Sequence, residues 1–404
     1  MRSSQVKVNA RSHYLGKEAI HMPDDTVSRR SSHPVEYLAD EAEGPKSGVG
    51  LCLSGGGYRA MVFHVGVVWR LYEAGWLGKL DRVSSVSGGS ITAAVLGLAW
   101  DRLQVAEPPN RARLEEYFVG PVRRLAGETI DAWGIIGGVL LPGSVSEKIQ
   151  ESYRKHLFGK ATLQDLPDKP RFVINATNVQ SGALWRFSKP YMRDYLVGEV
   201  KKPAISLAAA VAASSAFPPI LSPMVMELNP STFEPGCGEA LHGEPYTSRV
   251  VLTDGGVYDN LGLETVWKRY DTVLVSDAGG KLQPEEESKE DWARHAFRVL
   301  ELVDNQVRSL RKRQLIDSYA NSERKGAYWG IRTDIADYQL HDPLPCPFDR
   351  TMALASVATR LKRLDKTTQQ RLINWGYAVC DAALRKHVDA TLAKGQFPYP
   401  EAAV

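Results

Sequence analysis

Two short apolar runs in the first quarter of the chain are each followed by small residues and then by a segment with apolar positions at helical spacing. Val49 to Leu53 leads into Ser54-Gly55-Gly56-Gly57-Tyr58-Arg59-Ala60, and Val83 to Val86 leads into Ser87-Gly88-Gly89. A brief apolar run bounded by turn residues reads as a buried strand, and apolar positions recurring every three or four residues read as a helix. The first helix is predicted over Arg59 to Ala74, where Met61, Val62, Val65, Val68, Trp69, Leu71 and Tyr72 cover most of the circumference and Gly75 ends it. His64 falls on this helix and reads as a core or surface histidine. The second helix continues through Ile91 to Trp100.

The pattern goes on in the same way. Helices are predicted at Arg111 to Leu125 and Ser144 to Phe158, and strands at Arg171 to Val179 and Ala183 to Phe187, the strands joined through Gln180-Ser181-Gly182. An alanine-rich helix from Pro203 to Ala213 runs into Ser214-Ser215-Ala216-Phe217-Pro218-Pro219. Ser222 to Ser248, rich in proline and glycine, reads as a long irregular insertion. Strands at Arg249 to Thr253 and Asp271 to Ser276 end in Asp254-Gly255-Gly256 and Asp277-Ala278-Gly279-Gly280. A helix from Trp292 to Leu310 carries Arg308, Arg311, Lys312 and Arg313 near its end, which reads as a solvated face complementing the helix dipole. A strand at Ala327 to Thr333 and helices at Thr351 to Leu364 and Thr367 to His387 complete the chain. Alternating strands and helices predict an α/β fold of three layers, α/β/α, with a mainly parallel central sheet. Residues 1–47 form a polar arm in this reading, 48–280 the strand-turn-helix region, and 281–404 a mainly helical part packed on the same domain.

Composition narrows the classes. Of 404 residues, 43% are hydrophobic and 24% charged, ordinary for a globular protein, and a net charge of +3 spread along the chain is too weak to argue for a nucleic-acid partner. It is compatible with mild attraction to an anionic membrane surface. Cys52, Cys237, Cys346 and Cys380 show neither metal-ligand nor disulfide-scaffold spacing, so no metal is expected. No apolar stretch approaches eighteen residues, and Trp133 to Pro142, apolar and glycine-rich, is too short to span a bilayer and reads as buried beneath the site. The expectation is a cytoplasmic protein, peripheral at a membrane if it touches one; oligomeric state is open.

In parallel sheets with helices on both faces, ligands sit at the carboxyl ends of the strands. The start of a helix leaves N–H groups unpaired, so Gly55, Gly56 and Gly57 form a candidate cradle for an oxyanion or phosphate. Ser87, held between strand and helix with Gly88 and Gly89 after it, is the candidate nucleophile, and Asp254 before Gly255 and Gly256 the candidate base. Arg59, one turn into the cradle helix, would support the turn or an anionic part of a substrate. The run Gly55 to Ala60 also fits a dinucleotide fingerprint, but no acid closes the second strand and no Gly-Lys-Ser/Thr follows, which argues against nucleotide binding. For a Ser-acid-His triad the histidine would have to follow Asp254, and of His295, His341 and His387 only His341 lies in a loop.

Gly55-Gly56-Gly57-Tyr58-Arg59, Ser87-Gly88-Gly89, Ala213-Ser214-Ser215-Ala216-Phe217-Pro218 and Asp254-Gly255-Gly256, in that order and at that spacing, resemble the patatin-like phospholipases. The resemblance covers residues 49 to 280. It implies a patatin-like fold, a lipid acyl hydrolase with a Ser87/Asp254 dyad, an acyl-enzyme intermediate, membrane lipid or another acyl ester as substrate, and no cofactor. The departures are Ala60, where the family has the last glycine of the oxyanion turn, and Ser85, where it has a glycine two residues before the nucleophile. A lipid-binding or scaffold protein that keeps the fold without turnover is the alternative.

Overall fold

The computed structural model describes residues 45–130, 144–288 and 290–404. The polar arm, apart from its last three residues, and the Trp133 to Pro142 segment lie outside them. Ten strands among the described residues make one sheet: β1 (Lys46–Leu53), β2 (Arg82–Ser85), β3 (Arg171–Asn178), β4 (Leu184–Phe187), β5 (Tyr191–Asp194), β6 (Gly198–Lys201), β7 (Met224–Glu227), β8 (Arg249–Asp254), β9 (Tyr270–Asp277) and β10 (Lys325–Gly330). The strand order is β10-β9-β1-β2-β3-β4-β5-β6, with β8 on β3 and β7 on β8. The five strands from β10 to β3 are parallel, and antiparallel pairs extend the sheet beyond them.

The parallel centre is apolar on both faces because helices cover both. Successive residues of β1 and β9 alternate between two cores. Leu51, Leu53 and Leu274 join the larger one with helices α1 (Gly57–Glu73), α2 (Gly88–Leu103) and α7 (Lys366–His387), while Cys52, Val273 and Val275 pack on Leu261, Leu263, Val266 and Leu315. Between α2 and α7 the chain also forms α3 (Ser144–Tyr153), α4 (Leu207–Ser214), α5 (Trp292–Ala320) and α6 (Phe348–Ala355).

Buried from Gly57 to Tyr72, α1 lies against α7 at backbone contact. A Cβ on Gly66 would stand 1.9 Å from the Ile373 carbonyl oxygen, and one on Gly376 2.0 Å from that of Phe63. The two helices are also bridged by Arg70 and Asp381, an ion pair at 2.8 Å with both side chains buried. Asp365 caps α7 by accepting from the N–H groups of Thr367 and Thr368.

Four expectations change. The stretch from Ser222 to Ser248 contains β7, a four-residue strand hidden between prolines and paired antiparallel with β8. The alanine-rich helix begins at Leu207 with Ser206 as its cap, four residues beyond Pro203, because Ser206 offers the free N-terminal N–H groups an acceptor. Helix is confined to Phe348–Ala355, so residues 356 to 361 are free to form a wall of the site described below. Finally, α5 runs on to Ala320, which places the basic cluster in mid-helix; Arg311 is not solvated but bonds Glu264 at 2.9 Å and lies 3.7 Å from Asp259.

Candidate active site

Register brings the two glycine turns side by side. Leu53 is level with Ser85 on β2 and with Ser276 on β9, so the turns after β1 and β2 leave the sheet at the same edge. Asp254 reaches that edge from the opposite direction. β3 pairs with β2 through Ile174 and then continues past it, and β8 runs antiparallel along the extension, pairing Asp254 with Ala176.

The first turn is fixed almost entirely by the backbone. Ser54 N–H donates to Ser276 O (3.1 Å), Ser54 Oγ accepts from Ala278 N–H (2.7 Å), and Gly55 N–H donates to Asn260 O (3.1 Å). Of the three glycines proposed as a cradle, Gly55 therefore has its N–H engaged. Those of Gly56 and Gly57 make no hydrogen bond among the described residues. Gly56 (φ 141°) and Gly57 (φ 60°) adopt backbone angles open to glycine, and a Cβ on Gly57 would press within 2.8 Å of the Arg360 backbone. His64 is a core residue: Nε2–H donates to Ser54 O (3.0 Å), leaving Nδ1 to accept from Ser276 Oγ (2.9 Å), and burial lowers its pKa to about 4. It stays neutral and braces the turn.

Ser87 takes φ 51° without being glycine, the strained elbow that turns a serine out of the sheet. Gly88 and Gly89 allow close approach: a Cβ on Gly88 would lie 2.2 Å from Gly57 O, and one on Gly89 2.4 Å from Leu53 O. The elbow hangs on Ser214, whose Oγ accepts from Ser87 N–H (3.0 Å) and shares a hydrogen bond with Ser90 Oγ (2.9 Å). Ser90 Oγ donates in turn to Ser85 Oγ (3.0 Å), a use for the hydroxyl at one of the two departures from the family pattern.

The same segment holds the acid. Asp254 N–H donates to Ala216 O (3.0 Å), and Gly255 N–H to Ser214 O (3.4 Å), so Ser214 to Ala216 ties Ser87 to Asp254. Asp254 is 1% exposed; its Oδ1 accepts from Gly256 N–H at 2.7 Å, and its Oδ2 has no hydrogen-bond partner. Burial pushes the carboxyl up to about 7, against the pull of the Gly256 N–H and the nearby Ser87 hydroxyl, which stands in a contact looser than a formed hydrogen bond. Gly255 and Gly256 follow Asp254 and carry the chain past it. They let it press close, a Cβ on Gly255 falling 2.4 Å from Asn175 O and one on Gly256 2.9 Å from Asp254 Oδ1.

Gly56, Gly57, Ser87 and Asp254 open on one cavity of about 650 Å³. Phe217 to Leu221 form an apolar wall, α5 contributes Phe297, Asp304 and Arg308 among others, and Ala355 to Leu361 complete the lining. None of residues 222–248 lines it. No histidine lines it among the described residues, and His341 is exposed. Arg59 lines it too, but is 3% exposed and spends its guanidinium on carbonyls: Nη2 on Ala278 O (3.0 Å), Nη1 on Val357 O (2.5 Å) and Ala355 O (3.4 Å). Its first service is to the turn. Sequence reasoning missed Asn260, Ser90 and the 355–361 wall; only the polarity of Asn260 just after Asp254-Gly255-Gly256 hinted at a role.

The model of the patatin-like phospholipase family matches residues 51–267, more than half of the chain, and the chain belongs to that family. Among solved structures it is similar to human GIVD cytosolic phospholipase A2, with 14% identity, 62% of this chain and 47% of that chain covered and a TM-score of 0.37. It is similar also to VipD from Legionella pneumophila, with 16% identity, 84% and 67% covered and a TM-score of 0.33. The chain thus spans less than half the length of the human protein. No curated protein matches it. No helix among the described residues is long and apolar enough to cross a membrane.

Proposed function

We propose that the protein hydrolyses acyl esters of membrane lipids through Ser87 and Asp254 by way of an acyl-enzyme. The observation that carries this reading is the buried Asp254 carboxylate, one oxygen unpartnered, beside the strained Ser87 in the lining of a largely apolar cavity. Ser87 Oγ attacks the ester carbonyl carbon while its proton passes to Asp254 Oδ2. The oxyanion is met by the N–H groups of Gly56 and Gly57, each such donor worth on the order of 10²- to 10³-fold in rate. Collapse expels the alcohol, which takes the proton back from Asp254; water, deprotonated by the same carboxylate, then releases the fatty acid. Phe217 to Leu221 offer the acyl chain an apolar wall. Gly88, Gly89, Gly255 and Gly256 support the two reacting side chains by permitting the close contacts above. Contact with a membrane is transient and peripheral in this reading.

The test is covalent labelling with a fluorophosphonate, together with hydrolysis of lipid vesicles. Labelling of Ser87, loss of hydrolysis by at least 10³-fold in both Ser87→Ala and Asp254→Asn, and near-full activity in His341→Ala are expected. An unlabelled wild-type protein would point instead to a lipid-binding scaffold. Since Asp254 must be ionised to act, kcat/KM should fall tenfold per pH unit below about pH 7. Stability runs the other way. The carboxyl loses its proton near pH 4 when unfolded but keeps it to about pH 7 when folded, so folding stability declines across that window. Asp254→Asn should be more stable than wild type at pH 8, by up to about 4 kcal/mol, and no more stable at pH 4; denaturant melts at both pH values measure this.

A further inference from the structure

The longest helix among the described residues is packed on one side only. Of the 29 residues of α5, Leu315 and Ser318 alone are buried, so the run from Trp292 to Gln314 is held by half-buried contacts. One side turns Phe297, Glu301, Asp304 and Arg308 into the cavity. The other side is apolar and open: six of the nine large apolar side chains exposed among the described residues stand on α5, Trp292 foremost at 85%. Trp292, Val299, Val303 and Leu310 recur at spacings of seven, four and seven residues. At 3.6 residues per turn this keeps them within about 20° of one line, in a stripe about 27 Å long. That spacing is the seam along which helices pack on one another.

A lipid leaflet and a second helix ask for different borders around such a stripe. A helix lying in a leaflet carries lysine and arginine on its polar side, at the edges of the apolar one. Here the flanking positions are His295, Leu302 and Ser309 on one side and Ala293, Leu300 and Val307 on the other, with no lysine or arginine among them. The chain entering the helix is acidic, with Glu286, Glu287 and Glu290 exposed just before the stripe begins, and an anionic leaflet would repel it. The charges are arranged instead for self-pairing. Acids precede the Trp292 end, and Lys312 and Arg313, both exposed, follow the Leu310 end. Laid antiparallel on itself, the stripe is symmetric about position 301: Trp292 meets Leu310 of a second copy, Val299 meets Val303, Gln306 meets the small Ala296, and Glu290 comes beside Lys312. A parallel pairing would set acid against acid and cation against cation.

We propose that α5 pairs antiparallel with α5 of a second copy, making the protein a symmetric dimer through the stripe from Trp292 to Leu310. Each copy then supports, from outside, the wall that α5 gives to the cavity of the other. This inference goes beyond the ester-cleaving reading and does not depend on it.

Sedimentation velocity of the full chain across the micromolar range tests this without an activity assay. The wild type should be a dimer. Val299→Lys with Val303→Lys, and separately Val299→Glu with Val303→Glu, should each give a monomer, self-association weakening by about 100-fold or more because like charges then face one another. Mixed one to one, the two variants should restore the dimer. Both valines are exposed, so circular dichroism of the variants should match the wild type. In the antiparallel arrangement a Leu310→Cys chain cross-links to a Trp292→Cys chain and not to itself, and this result, with the state of the wild type, tests the proposal even if the charged variants fail to fold. A monomeric wild type would overturn the proposal, in favour of a membrane face if it binds phosphatidylglycerol vesicles through the same valines. A dimer that survives both charged variants, a mixture that stays monomeric, or a Leu310→Cys chain linked to itself would overturn it as well.

Discussion

The turns after β1 and β2 look alike in sequence, each a small-residue bend between a buried strand and a buried helix, yet they use glycine in opposite ways. In the first, Gly56 and Gly57 supply the positive φ, and the two N–H groups left over point to no other group of the described chain. In the second, the positive φ falls on Ser87, and Gly88 and Gly89 do nothing unusual in φ; they are glycine because the first turn and β1 lie directly against them. One turn spends conformational freedom to free its donors, and the other accepts strain to present a side chain. The pair interlocks, since Gly88 has the Gly57 carbonyl where a methyl group would be.

Breaking that interlock should have the largest effect. Gly88→Ala pushes a methyl into the Gly57 carbonyl and disturbs both turns at once, costing about 3 kcal/mol or more of stability and all measurable hydrolysis; denaturant melts and ester assays on the same preparation check both. Ser87→Gly should also be inactive, but with the opposite sign in stability. Relief of the strained φ, worth about 1 to 3 kcal/mol, outweighs the roughly 0.5 to 1 kcal/mol of added backbone entropy, leaving a net gain of about 1 kcal/mol. A loss of stability in Ser87→Gly would show that the elbow is not strained. The smallest effect belongs to Ala60→Gly, which restores the family residue in a buried helix. It should cost about 1 kcal/mol and leave kcat within a few-fold, because Ala60 N–H is already bonded to Gly56 O (3.3 Å). A large gain in kcat would mean that the alanine holds the turn back.

What could be read beforehand follows from how local each feature is. The strand-turn-helix units were legible because a buried parallel strand, a glycine bend and an amphipathic helix each leave their mark within a dozen residues. The direction of β8 was not, since nothing in Arg249–Asp254 says whether β3 will extend beyond β2 to receive it. β7 escaped because Met224–Glu227 is four residues long and set among prolines. Residues 356 to 364 read as helix by composition, whereas Tyr58 N–H takes the Arg360 carbonyl and Leu364 N–H reaches across to Ala126 O, long-range bonds that a periodicity cannot register. Arg311 was misread for the same reason: Asp259 and Glu264, which it meets, are distant along the chain.

The contact between α1 and α7 decides where the chain can be divided. Recognisable family features end at Trp267, yet the helix that begins at the first glycine turn is seated, glycine to carbonyl, on a helix that starts a hundred residues later. A piece of the protein stopping at Trp267 would lose β9 and β10 from the sheet, leave the buried face of α1 bare and strand Arg70 without Asp381. The stretch that identifies the protein and the stretch able to stand alone as a stable unit are therefore different lengths of the same chain.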